Sequence, residues 1–167
     1  QSIAPYQNDE DYGERVRAKL EEGVDLFLGN QKAPSVDAMQ PDFTFGGFGY
    51  QSSESAAQVI CALSAFGIDC HTDARFSDGK GKSVLTAFLD YADGEYFAHT
   101  PSTPKNALAT YEGCYTVQWY LGFLKAKKEG KTGVGQNAGI AIGSTEVFAW
   151  VIDYYLLDDR KDMEKKA

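Results

Sequence analysis

Apolar residues recur at helical spacing in several stretches of the chain, separated by polar segments carrying glycine or proline. Leu20, Val24, Phe27 and Leu28 fall at i, i+4, i+7 and i+8, one stripe of a helix over 14–29. Gly29 and Asn30 then supply a stop. The cleanest pattern is 55–66, where Ala56, Val59, Ile60, Leu63 and Phe66 share a face and small alanines permit close approach. Ser52 and Ser53 offer caps, Glu54 sits in the first turn where the helix dipole favours a carboxylate, and Gly67 ends the run. A third helix is expected over 83–91 from Val84, Leu85, Phe88 and Leu89. A fourth is expected over 107–127, with Tyr115, Leu121 and Leu124 on its buried face and Trp119 and Phe123 nearby. The last predicted helix is 145–157. Residues 1–13 read as a lead-in strap and 158–167 as a charged tail.

These segments align with one another. VDLFLGN (24–30) matches LTAFLDY (85–91) at the pairs Phe27-Leu28 and Phe88-Leu89, and a glycine–aromatic turn follows each. SESAAQVICALSAF (53–66) lines up with YEGCYTVQWYLGFL (111–124), pairing Glu54 with Glu112, Val59 with Val117 and Leu63 with Leu121. TEVFAWVIDYYLL (145–157) reads as a further copy, with Glu146 in the glutamate position. One domain over 1–167 results, with repeat one at 14–66, repeat two at 83–127 and a partial third at 145–157. Each helix pair has an apolar face it cannot bury alone, so the pairs must stack, and short glycine-rich turns make neighbours antiparallel. The expected class is all-α, built of antiparallel helical hairpins. Gln118 breaks the pattern, since its counterpart is Ile60; either the second unit rotates or that position meets a polar cavity.

A helix, a glycine–aromatic turn and a helix opening with a small residue and glutamate resemble the repeats of the terpenoid cyclase and protein prenyltransferase α/α-toroid superfamily. More narrowly, ESAAQVICALSAFGID, then RF with GKSVLTAFLDY and the turn, is similar to prenyltransferase-like repeat domains of bacterial cell-surface proteins. The resemblance covers about 14–125. It implies two concentric layers of helices, with 55–66, 107–127 and 145–157 inner and 14–29 and 83–92 outer. It also implies a cell-surface or extracellular location. A closed ring needs more pairs than this chain holds, so the expectation is a partial, open toroid, a piece of a larger protein, or a protomer completing its core by self-association.

Length and charge narrow the function. The 167 residues suit one domain with a real core. Against 16 Lys+Arg stand 24 Asp+Glu, a net charge of -8, which repels phosphate backbones and offers no polybasic patch to anionic lipid. Nucleic acid and membrane insertion are therefore not expected; the most apolar stretch, Val147 to Leu157, is too short to span a bilayer and contains Asp153. The sequence opens on Gln1 without a basic-then-apolar leader and so reads as a mature or trimmed segment, any export signal lying upstream. Cys61, Cys70 and Cys114 are too widely spaced for a disulfide framework or a zinc pattern.

Candidate chemistry is sparse. The resemblance implies an Asp-rich acid motif in proton-donating cyclases, and its nearest counterpart is Asp69-Cys70-His71-Thr72-Asp73. It also implies zinc held by Asp, Cys and His in prenyltransferases, and Asp69, Cys70 and His71 have those types, although three consecutive residues do not easily converge on one ion. Cys-x-Glu-Gln, P-loop, GxGxxG and HExxH patterns are absent from the sequence, and His99 reads as a loop residue. Glu54, Glu112 and Glu146 read as helix-start carboxylates, or alternatively as a ring around a polar cavity. Phe45, Phe48, Tyr50, Tyr96, Phe97, Trp119, Tyr120 and Trp150 gather near turns and inner-helix starts, where they would stack on a sugar, a corrinoid-like ring or a protein. The expected function is a non-catalytic module binding a small molecule, glycan or protein, with Tyr50, Glu54, Tyr96, Glu112 and Trp119 as ligand-binding candidates. No cofactor is assigned. An isoprenoid-processing enzyme with an apolar central cavity is the alternative, and a structural spacer a second.

Overall fold

The computed structural model describes residues 3–31, 38–47 and 49–130. A short 3-10 turn (Ala4–Tyr6) leads into α1 (Gly13–Phe27). Then come a two-stranded hairpin, β1 (Gly46–Gly47) and β2 (Tyr50–Gln51), and α2 (Ser53–Phe66). The second half follows with α3 (Val84–Leu89), the hairpin β3 (Ala92–Asp93) and β4 (Tyr96–Phe97), and α4 (Ala107–Lys128). The expected third repeat at 145–157 and the tail at 158–167 lie outside the described residues, as do Phe48, Glu146 and Trp150.

The class is therefore mixed: the four helices among the described residues are joined by two small antiparallel sheets, where an all-α chain was expected. The glycine–aromatic turns fold as β-hairpins. Gly49 and Gly94, at φ 91° and 64°, take the left-handed conformation that turns the chain back. The registers correspond. Gly47 pairs with Tyr50 and Gly46 with Gln51; Asp93 pairs with Tyr96 and Ala92 with Phe97. One further bond closes each hairpin, from Ser52 N–H to the Phe45 carbonyl and from Ala98 N–H to the Tyr91 carbonyl.

Caps set the helix limits. Ser52 is extended and its Oγ accepts from the Ser55 N–H at 3.2 Å, so α2 starts two residues earlier than the apolar pattern begins. At its far end Gly67, at φ 84°, closes the helix with its N–H on the Leu63 and Ser64 carbonyls. Ser83 and Thr86 form a reciprocal capping box on α3. Asn106 Oδ1 accepts from the Leu108 and Ala109 N–H groups, and Lys125, Lys127 and Lys128 complement the C-terminal dipole of α4.

The core is built around α2, buried on nearly every side through Ala56, Ala57, Val59, Ile60, Cys61, Leu63, Ser64 and Ala65. α4 lies against it closely enough for Thr116 Oγ1 to reach the Ala57 carbonyl at 3.4 Å and Cys61 Sγ at 3.5 Å. α3 adds Val84 and Phe88, the latter stacked on Phe97 at 4.9 Å, while Phe27 in α1 is half-buried and meets Phe45 edge-on. Phe27 and Phe88, paired by sequence, thus contact different members of their hairpins. The connector 68–82 sends Cys70 and Phe76 fully into the core. Within the strap, Ala4 is fully buried.

The buried face of α4 corrects the sequence expectation. Thr116, Trp119, Tyr120 and Phe123 point inward, whereas Leu121 is 51% exposed and Leu124 is exposed as well. Burial matches Val59 with Trp119, Ile60 with Tyr120 and Leu63 with Phe123, a two-residue shift from the expected pairing. Only one flank of α4 meets the described core, so its aromatic side turns inward and the leucines are left outside. Gln118, half-buried, sits on the boundary. No helix among the described residues is long and apolar enough to cross a membrane.

Candidate functional site

The second hairpin does not run straight into its helix. β4 ends at Phe97 and α4 begins at Ala107; the intervening loop is closed by Ala98–Lys105 bridging and by Thr100–Thr103 hydrogen bonds. This loop carries His99 back over the start of α2, where its carbonyl accepts from the Ser53 N–H at 3.0 Å. The imidazole Nδ1 lies 2.8 Å from both carboxylate oxygens of Glu54. Tyr50, from the first hairpin and 47% exposed, meets the His99 ring in a T-shaped contact at 5.5 Å. Ser53 Oγ donates to Glu54 at 3.2 Å.

One side chain from each half of the chain and one from a helix start thus form a polar–aromatic cluster at the N-terminal end of α2. Glu54, which accepts from Ser53 Oγ, orients the His99 ring through the contact at Nδ1. Glu54 and Tyr50 were both among the ligand-binding candidates, and the structure brings these two together. His99 was missed because a lone histidine among TPSTP residues carries no periodic signal, and the only clue was its place just after a glycine–aromatic turn.

Tyr96 occupies the register position in the second hairpin that Tyr50 holds in the first, and the Lys105 ammonium sits 4.6 Å from its ring centre. The two hairpin tyrosines therefore each face a basic side chain, but at separate places. Glu112 is corrected more firmly. α4 starts at Ala107, so Glu112 lies in its second turn, beyond the reach of a capping role, and accepts from Gln58 Nε2 at 3.2 Å across the α2–α4 seam. Trp119 is buried in the core beside Tyr115, not displayed for a ligand.

Asp69, Cys70 and His71 diverge. Asp69 accepts from the Tyr120 hydroxyl at 2.7 Å, from Lys127 at 2.7 Å and from the His71 N–H at 3.1 Å. Burial alone would raise the Asp69 pKa, but these donors outweigh it and bring it down to about 2. Such a carboxylate is a fixed anion rather than a proton donor. Burial pushes the Cys70 thiol up to about 12, with the Asp69 charge adding to it, and the His71 ring pairs with Ser83 Oγ at 2.9 Å. Asp73 is held in a two-pronged pair by Arg75. Among the described residues no three His, Cys, Asp or Glu side chains converge as metal ligands would. No protein-family model, curated protein or solved structure matches the chain.

Proposed function

We propose that the chain is a non-catalytic binding module of an exported bacterial protein, shaped as a partial, open α/α toroid and working at the cell surface or outside the cell. The observation that carries this reading is the cluster of Tyr50, His99 and Glu54: an exposed ring beside a positioned imidazole–carboxylate pair, where both halves of the chain meet. A rigid aromatic with a polar partner suits recognition of a small molecule, glycan or protein segment. The corresponding hairpin registers, each placed between two helices, support the repeat architecture, with α2 and α4 as adjoining inner helices. The low pKa and full pairing of Asp69 favour a structural over an acid-catalytic role for the segment 69–73.

The test compares the chain with its Tyr50→Ala and His99→Ala variants by calorimetry and thermal shift. The probes are neutral saccharides, short peptides and farnesyl diphosphate with zinc. Binding of one probe class, lost in both variants without loss of fold, is the expected result. Conversion of farnesyl diphosphate to any product would overturn it in favour of an enzyme.

A further inference from the structure

Three large apolar residues that the fold leaves exposed gather at one place. Ile3, Tyr6 and Tyr12 are 41%, 56% and 57% exposed, and all three line a hollow of about 570 Å³ where the lead-in strap meets the first turns of α1. Val16, Arg15 and Lys19 continue its wall, which is almost wholly apolar. Tyr12, Val16 and Lys19 follow at i, i+4 and i+7, a flank of α1 beside the face that Leu20 and Val24 bury in the core. Single exposed apolar side chains are ordinary, but a contiguous group around one concavity marks a contact surface.

The strap does not need these rings to stay in place. Ala4 is fully buried, Arg17 Nη1 donates to the Gln7 carbonyl, and Asp9 Oδ1 accepts from the Asp11 and Tyr12 N–H groups at 3.0 and 2.9 Å. A Cβ at Gly13 would meet the Gln7 carbonyl, so the strap lies directly on the start of α1. The hollow is therefore preformed, and its rings are free to meet a ligand.

Charge selects the occupant. Lys19 Nζ is paired with Glu22, whereas the Arg15 guanidinium has no hydrogen bond or ion pair among the described residues, and none of the described carboxylates lines the hollow. A free fork-shaped cation beside an apolar trough complements a molecule with a carboxylate at one end and hydrocarbon at the other. We propose that the hollow binds one free fatty acid, its alkyl chain along Ile3, Tyr6, Tyr12 and Val16 and its carboxylate on Arg15. The volume lies within the range of small-molecule pockets. An acyl chain still held in a membrane fits worse, because the net charge of -8 opposes approach to anionic lipid. Tyr50, His99 and Glu54 do not line this hollow, so the site is independent of that cluster.

The experiment titrates the isotope-labelled full chain, by amide NMR, with sodium dodecanoate below its micelle concentration and with dodecanol. The expected result is saturable shifts at Tyr6, Tyr12, Val16 and Ala18, with dodecanol bound more weakly than dodecanoate. Arg15→Gln, at an exposed position, is expected to hold dodecanoate roughly tenfold more weakly and dodecanol as the parent does. Ala18→Glu, exposed and part of the same wall, sets a carboxylate against that of the ligand and is expected to abolish dodecanoate binding without lowering Tm. Tyr50→Ala leaves the titration unchanged. Four outcomes overturn the proposal. They are no saturable shift with dodecanoate, unaltered affinity in Arg15→Gln, dodecanol bound by the parent as tightly as dodecanoate, or cosedimentation of the chain with phosphatidylglycerol vesicles, which would assign the hollow to a membrane surface.

Discussion

The Tyr120 hydroxyl donates to Asp69 Oδ1 at 2.7 Å, joining the connector after α2 to the middle of α4. Lys127, nearly two turns further along α4, takes the other carboxylate oxygen. One aspartate therefore fixes both the rotation of α4 and the path of the chain toward α3.

That clamp is pH-dependent, and its sign follows from the pKa. The folded value of about 2 lies below the ordinary 3.8, so the stability contributed by Asp69 is complete above the usual carboxylate range. It is lost progressively as pH falls toward the folded value. Allowing for solvent around Lys127, the loss is about 1–2 kcal/mol. Urea unfolding of Asp69→Asn between pH 7 and acid should show a flatter acid limb than the parent chain. Tyr120→Phe should cost about 1 kcal/mol at neutral pH.

Gly113 and Gly122 lie on the same helix and should respond oppositely to alanine. A Cβ at Gly113 runs into the Phe97 ring, while at Gly122 it meets open space. Gly113→Ala is expected to destabilise by about 1–3 kcal/mol, since the hairpin must move off α4. Gly122→Ala should raise stability by about 0.5–1 kcal/mol through helix propensity. Thermal unfolding of both variants side by side checks the pair.

Leu63 and Leu121, equivalent by sequence alignment, should differ sharply. Leu63→Ala empties a fully buried site and should cost about 2–5 kcal/mol. Leu121→Ala, on an exposed flank, should stay within about 0.5 kcal/mol of the parent. Equal losses would restore the alignment-based face of α4 and remove the rotation described above.

Cys70 should be chemically silent in the folded chain. With its thiol pushed up to about 12 and the side chain fully buried, thiolate is scarce at neutral pH. Mass spectrometry after brief iodoacetamide treatment at pH 8 should find Cys70 unmodified, and labelled once the chain is unfolded in urea.

The apolar periodicity located α1, α2, α3 and α4 to within a few residues, because a stripe at helical spacing is a local property of the chain. It did not locate the hairpins. Four-residue sheets made of Gly46-Gly47 or Ala92-Asp93 have no alternation long enough to read, and their strands exist through pairing across a turn. The alignment of SESAAQVICALSAF with YEGCYTVQWYLGFL failed by two residues for a related reason. Helical spacing allows several faces when Leu121, Leu124, Trp119 and Phe123 are all apolar, and the neighbour α2 together with the Asp69 clamp selects one.

Sequence alone therefore determined where helices form and that a serine caps α2, both of which depend on residues within a few turns of one another. Tertiary structure decided which face of α4 is covered, that His99 returns across 45 residues to Glu54, and that the Tyr91 hydroxyl is buried with no hydrogen-bond partner among the described residues. Those relationships depend on long-range packing, where the burial of whole faces outweighs any local preference.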